Sequence, residues 1–249
     1  MKTKTAKKEA AKKVYNRRTK QEQSGTCSNY ALQEGGKALK VVNLVIVDES
    51  GSMSIIHREA LAGINETIST CKKMQEAHPE MEQRLTLISF DSDHFKLHYD
   101  NINAAEAREL TMRDYNPCGA TPLYDAIGKG IAKLNAQTET EDNVLVTIIT
   151  DGEENCSKEY TLKMVKTLIE KLKKQGWTFT LIGTDNLDVE GMAGSMAIDN
   201  HLAFTEDEES TKKMFACERR SRERFNDCCS AGMAMPIGAY FDEEDDNKA

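Results

Sequence analysis

Short, β-branched apolar runs alternate along this chain with longer stretches whose apolar residues recur at helical spacing. That alternation restricts the fold more than any other feature. Residues 41–47 are apolar except for Asn43, the mark of a strand buried on both faces. From Ile55 to about Ala77, the positions of Ile56, Ala60, Ile64 and Ile68 predict a helix, which His78-Pro79-Glu80 ends. Residues 85–90 read as a second strand. After a tight Asp91-Ser92-Asp93 turn, the alternation of Phe95, Leu97 and Tyr99 predicts a half-exposed antiparallel edge strand. Residues 104–110 predict a short helix and 123–134 a longer one. A third buried strand is expected at 144–150 and an amphipathic helix at 161–174, with Gly176 closing it. Residues 177–182 predict a strand, 187–196 a short helix or loop, 201–204 a last short strand and 206–225 a last helix. Strands that alternate with helices pair in parallel. The expected class is α/β: a doubly wound, mostly parallel central sheet with one antiparallel edge strand and helices on both faces, Rossmann-like.

Charge divides the chain further. The net charge is −8, yet residues 1–24 hold seven Lys and two Arg against Glu9 and Glu22, so that stretch is strongly basic and the remainder strongly acidic. The expected organisation is a basic N-terminal arm and lead-in over 1–40, a domain over 41–226, and a C-terminal extension over 227–249. The extension carries the acidic run Asp242-Glu243-Glu244-Asp245-Asp246. No apolar run reaches the roughly 20 residues that span a bilayer, and no apolar core of a signal peptide follows the N-terminal lysines. The seven cysteines are odd in number and irregularly spaced, with no Cys-x-x-Cys, which fits reduced thiols and a cytoplasmic location.

The chemistry gathers where the predicted strands end. The first strand runs into Asp48-Glu49-Ser50-Gly51-Ser52-Met53, and the third into Thr150-Asp151-Gly152-Glu153-Glu154-Asn155. Between them, Asn116-Pro117-Cys118-Gly119-Ala120-Thr121-Pro122 is a turn that presents Thr121 ahead of a helix. Ligands of open α/β sheets bind at the carboxyl ends of strands. Carboxylate and hydroxyl oxygens suit a hard divalent cation such as Mg²⁺ or Mn²⁺, with Ca²⁺ as a further candidate. Ser, Thr and Asp are also ordinary helix N-caps, so each residue taken singly has a purely structural reading.

With those residues in order, the chain resembles the von Willebrand factor A domain over about residues 40–226, in its bacterial or phage-related intracellular form. In that family Asp-x-Ser-x-Ser, a Thr from a second loop and an Asp from a third form the metal-ion-dependent adhesion site. The matching residues here are Asp48, Ser50, Ser52, Thr121 and Asp151. The resemblance implies that Ser50, Ser52 and Thr121 bind the ion directly through neutral oxygens, while Asp48 and Asp151 bind directly or through water. The ion then accepts an Asp or Glu carboxylate from a protein partner. It also implies an adaptor role, in some relatives beside an ATPase or within a multi-protein system. Cys118 departs from the small residue expected in the Thr121 loop, with packing or a redox role as its readings.

Asp91, Asp93, His94 and His98 suggest a second metal site, but two histidines four residues apart on an extended strand lie about 13 Å apart and cannot share an ion, so a charged hairpin turn is expected. The basic arm could bind phosphates, though Tyr15 is its lone aromatic. Arg219, Arg220, Arg222 and Arg224 follow Glu206, Asp207, Glu208 and Glu209 on one predicted helix, as the helix dipole favours. Cys228-Cys229 and Met192, Met196, Met233 and Met235 read as packing residues, and His57 as solvent-facing or capping. Phosphate-loop, dinucleotide, nucleophile-elbow and zinc-protease motifs are absent. The expected function is therefore non-enzymatic, metal-dependent protein binding. The alternatives are a Mg²⁺-dependent hydrolase or phosphotransferase built on the same aspartates, and nucleic-acid binding through residues 1–24.

Overall fold

The computed structural model describes residues 39–241. Six strands form one sheet in the order β3-β2-β1-β4-β5-β6. They are β1 (Leu39–Asp48), β2 (Met81–Phe90), β3 (Phe95–Asn103), β4 (Asn143–Thr150), β5 (Thr178–Thr184) and β6 (Asn200–Phe204). All neighbours are parallel except β2 and β3, which form the expected antiparallel hairpin at the edge. Five α-helices accompany them: α1 (His57–Ala77), α2 (Leu123–Asn135), α3 (Leu162–Lys173), α4 (Val189–Ser195) and α5 (Glu208–Ser230). A 3₁₀ turn, Gly51–Ile56, leads into α1. The basic arm and the acidic run lie outside the described residues.

The alternation of side chains along β1 decides which helices cover which face. Val42, Leu44 and Ile46 pack in a core cluster with Leu123, Ile127 and Ile131 of α2, Val165 and Ile169 of α3, and Ala193 of α4. Val45 and Val47 point the other way, toward Ala60, Ile64 and Ile68 of α1 and Met214 and Phe215 of α5. The sheet is thus covered on both faces, as its parallel strands require.

Asn43, the one polar break in the β1 run, points to the α1/α5 face and explains itself there. Arg222 of α5 is fully buried and donates to Asn43 Oδ1 at 2.5 Å, to Thr147 Oγ1 at 2.9 Å and to Glu218 Oε1. Tyr240, also buried, donates its hydroxyl to Glu218 Oε1 at 3.1 Å. The helix-dipole account does not explain Arg222: it is a core residue whose charge Glu218 matches. The same network explains why β2 begins at Met81, earlier than residue 85. Gln83 is buried and donates to Asn226 Oδ1 at 2.7 Å, while Asn43 donates to the Arg84 carbonyl at 3.1 Å.

The helix expected over 104–110 shrinks to one 3₁₀ turn, Ala104–Glu106, and Ala107 is already extended. Asn65 of α1 is the physical reason. Its side chain accepts from Leu110 N at 2.8 Å and donates to Leu110 O at 3.0 Å, so both backbone groups are satisfied without a helix. Met192, Met196 and Met235 pack as expected, whereas Met233 is exposed. Cys229 is buried beside Phe225 and Tyr240.

Candidate metal centre

Strand register brings the first and third loops together. β1 and β4 pair with Val47 opposite Ile149, so Asp48 and Thr150 end neighbouring strands side by side. Thr150 donates its hydroxyl to Asp48 Oδ2 at 2.6 Å. The other oxygen, Oδ1, accepts from Ser50 N at 2.7 Å. Both oxygens of this fully buried carboxylate are thereby aimed. Ser50 Oγ lies 3.2 Å from Ser52 Oγ, and Ser52 donates to Asp151 Oδ1 at 2.8 Å.

The second loop is pinned from both sides. Gly51 N donates to Gly119 O at 3.1 Å, and Cys118 N to Glu49 O at 2.8 Å. Asn155 Oδ1 accepts from Thr121 N at 2.9 Å, and Asn155 N donates back to Thr121 O at 3.1 Å. Thr121 Oγ1 comes so close to Gly152 that a Cβ there would sit 3.0 Å from it and 3.8 Å from Asp48 Oδ2. Glycine at 152 thus leaves room for the Thr121 hydroxyl beside the loop after β4. The five residues Asp48, Ser50, Ser52, Thr121 and Asp151 therefore gather in one place, at the carboxyl ends of β1 and β4.

The electrostatics are lopsided. Burial is the largest cause raising the Asp151 carboxyl, to about 7, with Asp48 and Glu206 adding to the rise against the Ser52 hydrogen bond. Burial likewise raises Asp48, opposed by bonds from Thr150 and Ser50. Asp151 Oδ2 is buried with no hydrogen-bond partner, and an unpaired polar atom of that kind costs about 1–3 kcal/mol. No Lys or Arg of the described residues figures among the main influences on either aspartate. Two carboxylates and three hydroxyls converging without a cation form a donor set that fits a hard divalent ion.

Several positioning residues escape a reading of the sequence alone. Glu49 is fully buried; it accepts from Ser89 Oγ at 2.5 Å, from Lys96 Nζ at 2.5 Å and from Asn116 N. Tyr115 donates to the Asp48 carbonyl at 2.8 Å, and burial pushes its phenol well above the ordinary value. Thr150 and Asn155 flank Asp151 in the sequence, and their nearness to it was the available signal. His57, expected to face solvent or cap a helix, instead places Nε2 2.8 Å from the Tyr115 carbonyl. It is bound to the back of the second loop. Among the described residues no histidine hydrogen-bonds Ser50 or Ser52.

A doubly wound α/β domain with an oxygen-lined cradle at its strand ends belongs to the ligand-binding α/β class. The model of the von Willebrand factor type A domain matches residues 44–216, and the chain belongs to that family. No curated protein matches the chain. Among solved structures, the open form of the pilus adhesin SpaC from Lactobacillus rhamnosus GG is 14% identical, with a TM-score of 0.55 over 74% of this chain and 30% of that one. A mutant of the PilB minor pilin from Streptococcus sanguinis is 15% identical, with a TM-score of 0.54 over 81% and 64%. The SpRpn10 VWA domain is 12% identical, with a TM-score of 0.50 over 71% and 93%. The chain thus spans under two thirds of the adhesin and of the pilin, and these identities show a shared fold alone. No helix of the described residues is long and apolar enough to cross a membrane.

Proposed function

We propose that this domain binds a protein partner through a divalent cation held by Ser50, Ser52 and Thr121, with Asp48 and Asp151 bound directly or through water. The observation that carries the reading is the gathering of those five residues at the ends of β1 and β4, where Ser52 holds Asp151 Oδ1 and leaves Oδ2 buried with no partner. The ion, Mg²⁺ or Mn²⁺ with Ca²⁺ as a further candidate, supplies positive charge at a cradle whose ionisable groups are two carboxyls. Three neutral ligands leave it electropositive enough to accept an Asp or Glu from outside. This chain's own part is to orient donors: Thr150 and the Ser50 amide aim Asp48, Asn155 and Gly152 place Thr121, and Ser52 holds Asp151 Oδ1.

The hydrolytic alternative needs a general base or an activated nucleophile, and the contacts of Ser50 and Ser52 favour ligation over nucleophilic attack. A cytoplasmic setting is supported by the free thiols Cys71, Cys118, Cys156, Cys228 and Cys229. A bacterial or phage source and an ATPase-containing assembly rest on the family resemblance alone.

Calorimetric titration of the full chain with Mg²⁺ and Mn²⁺ tests the reading. Wild type is expected to bind one ion, and Asp48→Ala and Asp151→Ala are expected to abolish binding. A wild type that takes up neither ion, even with a soluble carboxylate such as acetate supplied, would overturn it. Affinity capture in Mg²⁺ against EDTA then identifies the partner that leaves with the chelator.

A further inference from the structure

Beside the oxygen cradle, on the side of the β2–β3 hairpin, a second donor set of different chemistry comes together. Asp91, His94 and Cys118 each turn a ligand atom inward, all within 4.8 Å of one another. Asp91 and His94 belong to the hairpin turn, and Cys118 arrives from the Thr121 loop. Asp91 Oδ1 is already committed, accepting from Asp93 N at 2.7 Å and His94 N at 2.8 Å. Asp91 Oδ2 faces the other two, 3.0 Å from His94 Nδ1 and 3.5 Å from Cys118 Sγ. A tetrahedral ion with bonds of about 2.0–2.3 Å sets neighbouring N, O and S ligands roughly 3.3–3.7 Å apart. The two separations fall on that scale to within a few tenths of an ångström.

The two loops are held together by contacts that use none of the three ligand atoms. Ser92 Oγ accepts from Ala120 N at 3.1 Å. Gly119 has φ +72°, and a Cβ there would sit 2.5 Å from Ser92 Oγ, so glycine is what lets the loop lie on the hairpin. The Asp91 side chain is fully buried while that of His94 is 55% exposed. One ligand is thus fixed and another is open to solvent. Asp91 and His94 also line a cleft of about 270 Å³ shared with Asp125, Lys129 and Cys156.

We propose that Asp91 Oδ2, His94 Nδ1 and Cys118 Sγ form a second metal site, selective for Zn²⁺ or a similar borderline-soft transition ion, with a fourth position open to water or a partner group. Thiolate and imidazole select such ions, whereas the hydroxyls and carboxylates of the first site select hard ones. The two sites therefore prefer different metals. On binding, the Cys118 thiol gives its proton to solvent and becomes the thiolate ligand, while His94 binds through its unprotonated Nδ1. Because Cys118 must bind as the thiolate and His94 as neutral imidazole, uptake strengthens as pH rises. The site is independent of the partner-binding reading above, and either can fail alone.

The test is a Co²⁺ titration of the reduced full chain in excess Mg²⁺, read by absorption. A thiolate-to-Co²⁺ charge-transfer band saturating at one equivalent is expected, with Zn²⁺ bleaching it. Cys118→Ser should remove the band with the melting temperature unchanged, and His94→Ala should weaken Co²⁺ binding at least about tenfold. Asp48→Ala and Cys156→Ser should leave the band as in wild type. Absence of the band in wild type, or its survival in Cys118→Ser, would overturn the proposal.

Discussion

Ser52 Oγ donates to Asp151 Oδ1 at 2.8 Å across 99 positions of sequence, tying the loop after β1 to the loop after β4. The bond uses one Asp151 oxygen and leaves the other buried and unpartnered. An ionised carboxylate in that state is a burden on the metal-free fold. Asp151→Asn removes the charge and keeps the acceptor for Ser52, so in EDTA it should melt at or above the wild-type temperature, with a gain of about 1–3 kcal/mol. Wild type should be stabilised by Mg²⁺ as RT ln(1 + [L]/Kd), and Asp151→Asn should show no such shift. Thermal melts with and without Mg²⁺ check both halves.

A second prediction concerns the buried charge pair behind the sheet. Arg222 and Glu218 are both within 1% of full burial, and Arg222 also serves Asn43 and Thr147. Arg222→Ala strands Glu218, whose Oε2 is already without a partner, and should cost about 3–5 kcal/mol. Replacing both charges, as in Arg222→Met with Glu218→Leu, should recover much of that loss, because no uncompensated charge remains. Urea denaturation of the two variants decides this; equal losses would contradict it.

These two cases also mark what the sequence could disclose. The strands at 41–47 and 144–150 are legible because a strand buried on both faces needs a continuous apolar run. The five residues of the proposed site are legible because each follows a predicted strand or precedes a predicted helix. Asn43 was visible as a polar break, but Arg222 lies far along the chain, and no local period links a strand residue to one on the last helix. The same limit hid Cys118 from Asp91 and His94: a search along one extended strand compares His94 with His98, whereas the third ligand comes from another loop. At 107–110 the helical expectation fails because Asn65, a tertiary partner far off in sequence, satisfies the Leu110 backbone directly.

A pH dependence follows from His98. Its Nε2 is 2.7 Å from Ser89 Oγ, which in turn donates to Glu49. Burial lowers its proton affinity more than the nearby Glu49 and Asp114 carboxylates raise it, and Lys96 and Arg108 push it down further. The folded state therefore binds fewer protons at this residue than the unfolded state does once pH falls below about 6.5. Stability then rises with pH in that window and is lost on acidification. Wild type should lose more stability than His98→Gln between about pH 7.5 and 5.5. Denaturant midpoints at the two pH values test this, and parallel losses would exclude His98 as the source.

Glu49 gives the last prediction, because it supports the proposed metal cradle without belonging to it. Its carboxylate receives Ser89, Lys96 and the Asn116 amide, and its carbonyl receives Cys118 N at 2.8 Å. The side chain thus anchors the start of the loop that presents Thr121. Glu49→Ala leaves the Asn116 amide and a half-buried ammonium without their acceptor, which should cost about 1–3 kcal/mol. The freed loop no longer fixes Thr121, so Mg²⁺ affinity should fall by about tenfold, the scale seen when outer-shell partners of a metal site are removed. Glu49→Gln keeps an acceptor for the Asn116 amide and should retain most of the affinity while losing the Lys96 ion pair. Calorimetry and urea melts on both variants separate the roles: equal affinity in Glu49→Ala and wild type would show that Thr121 is placed by Asn155 and Gly152 alone.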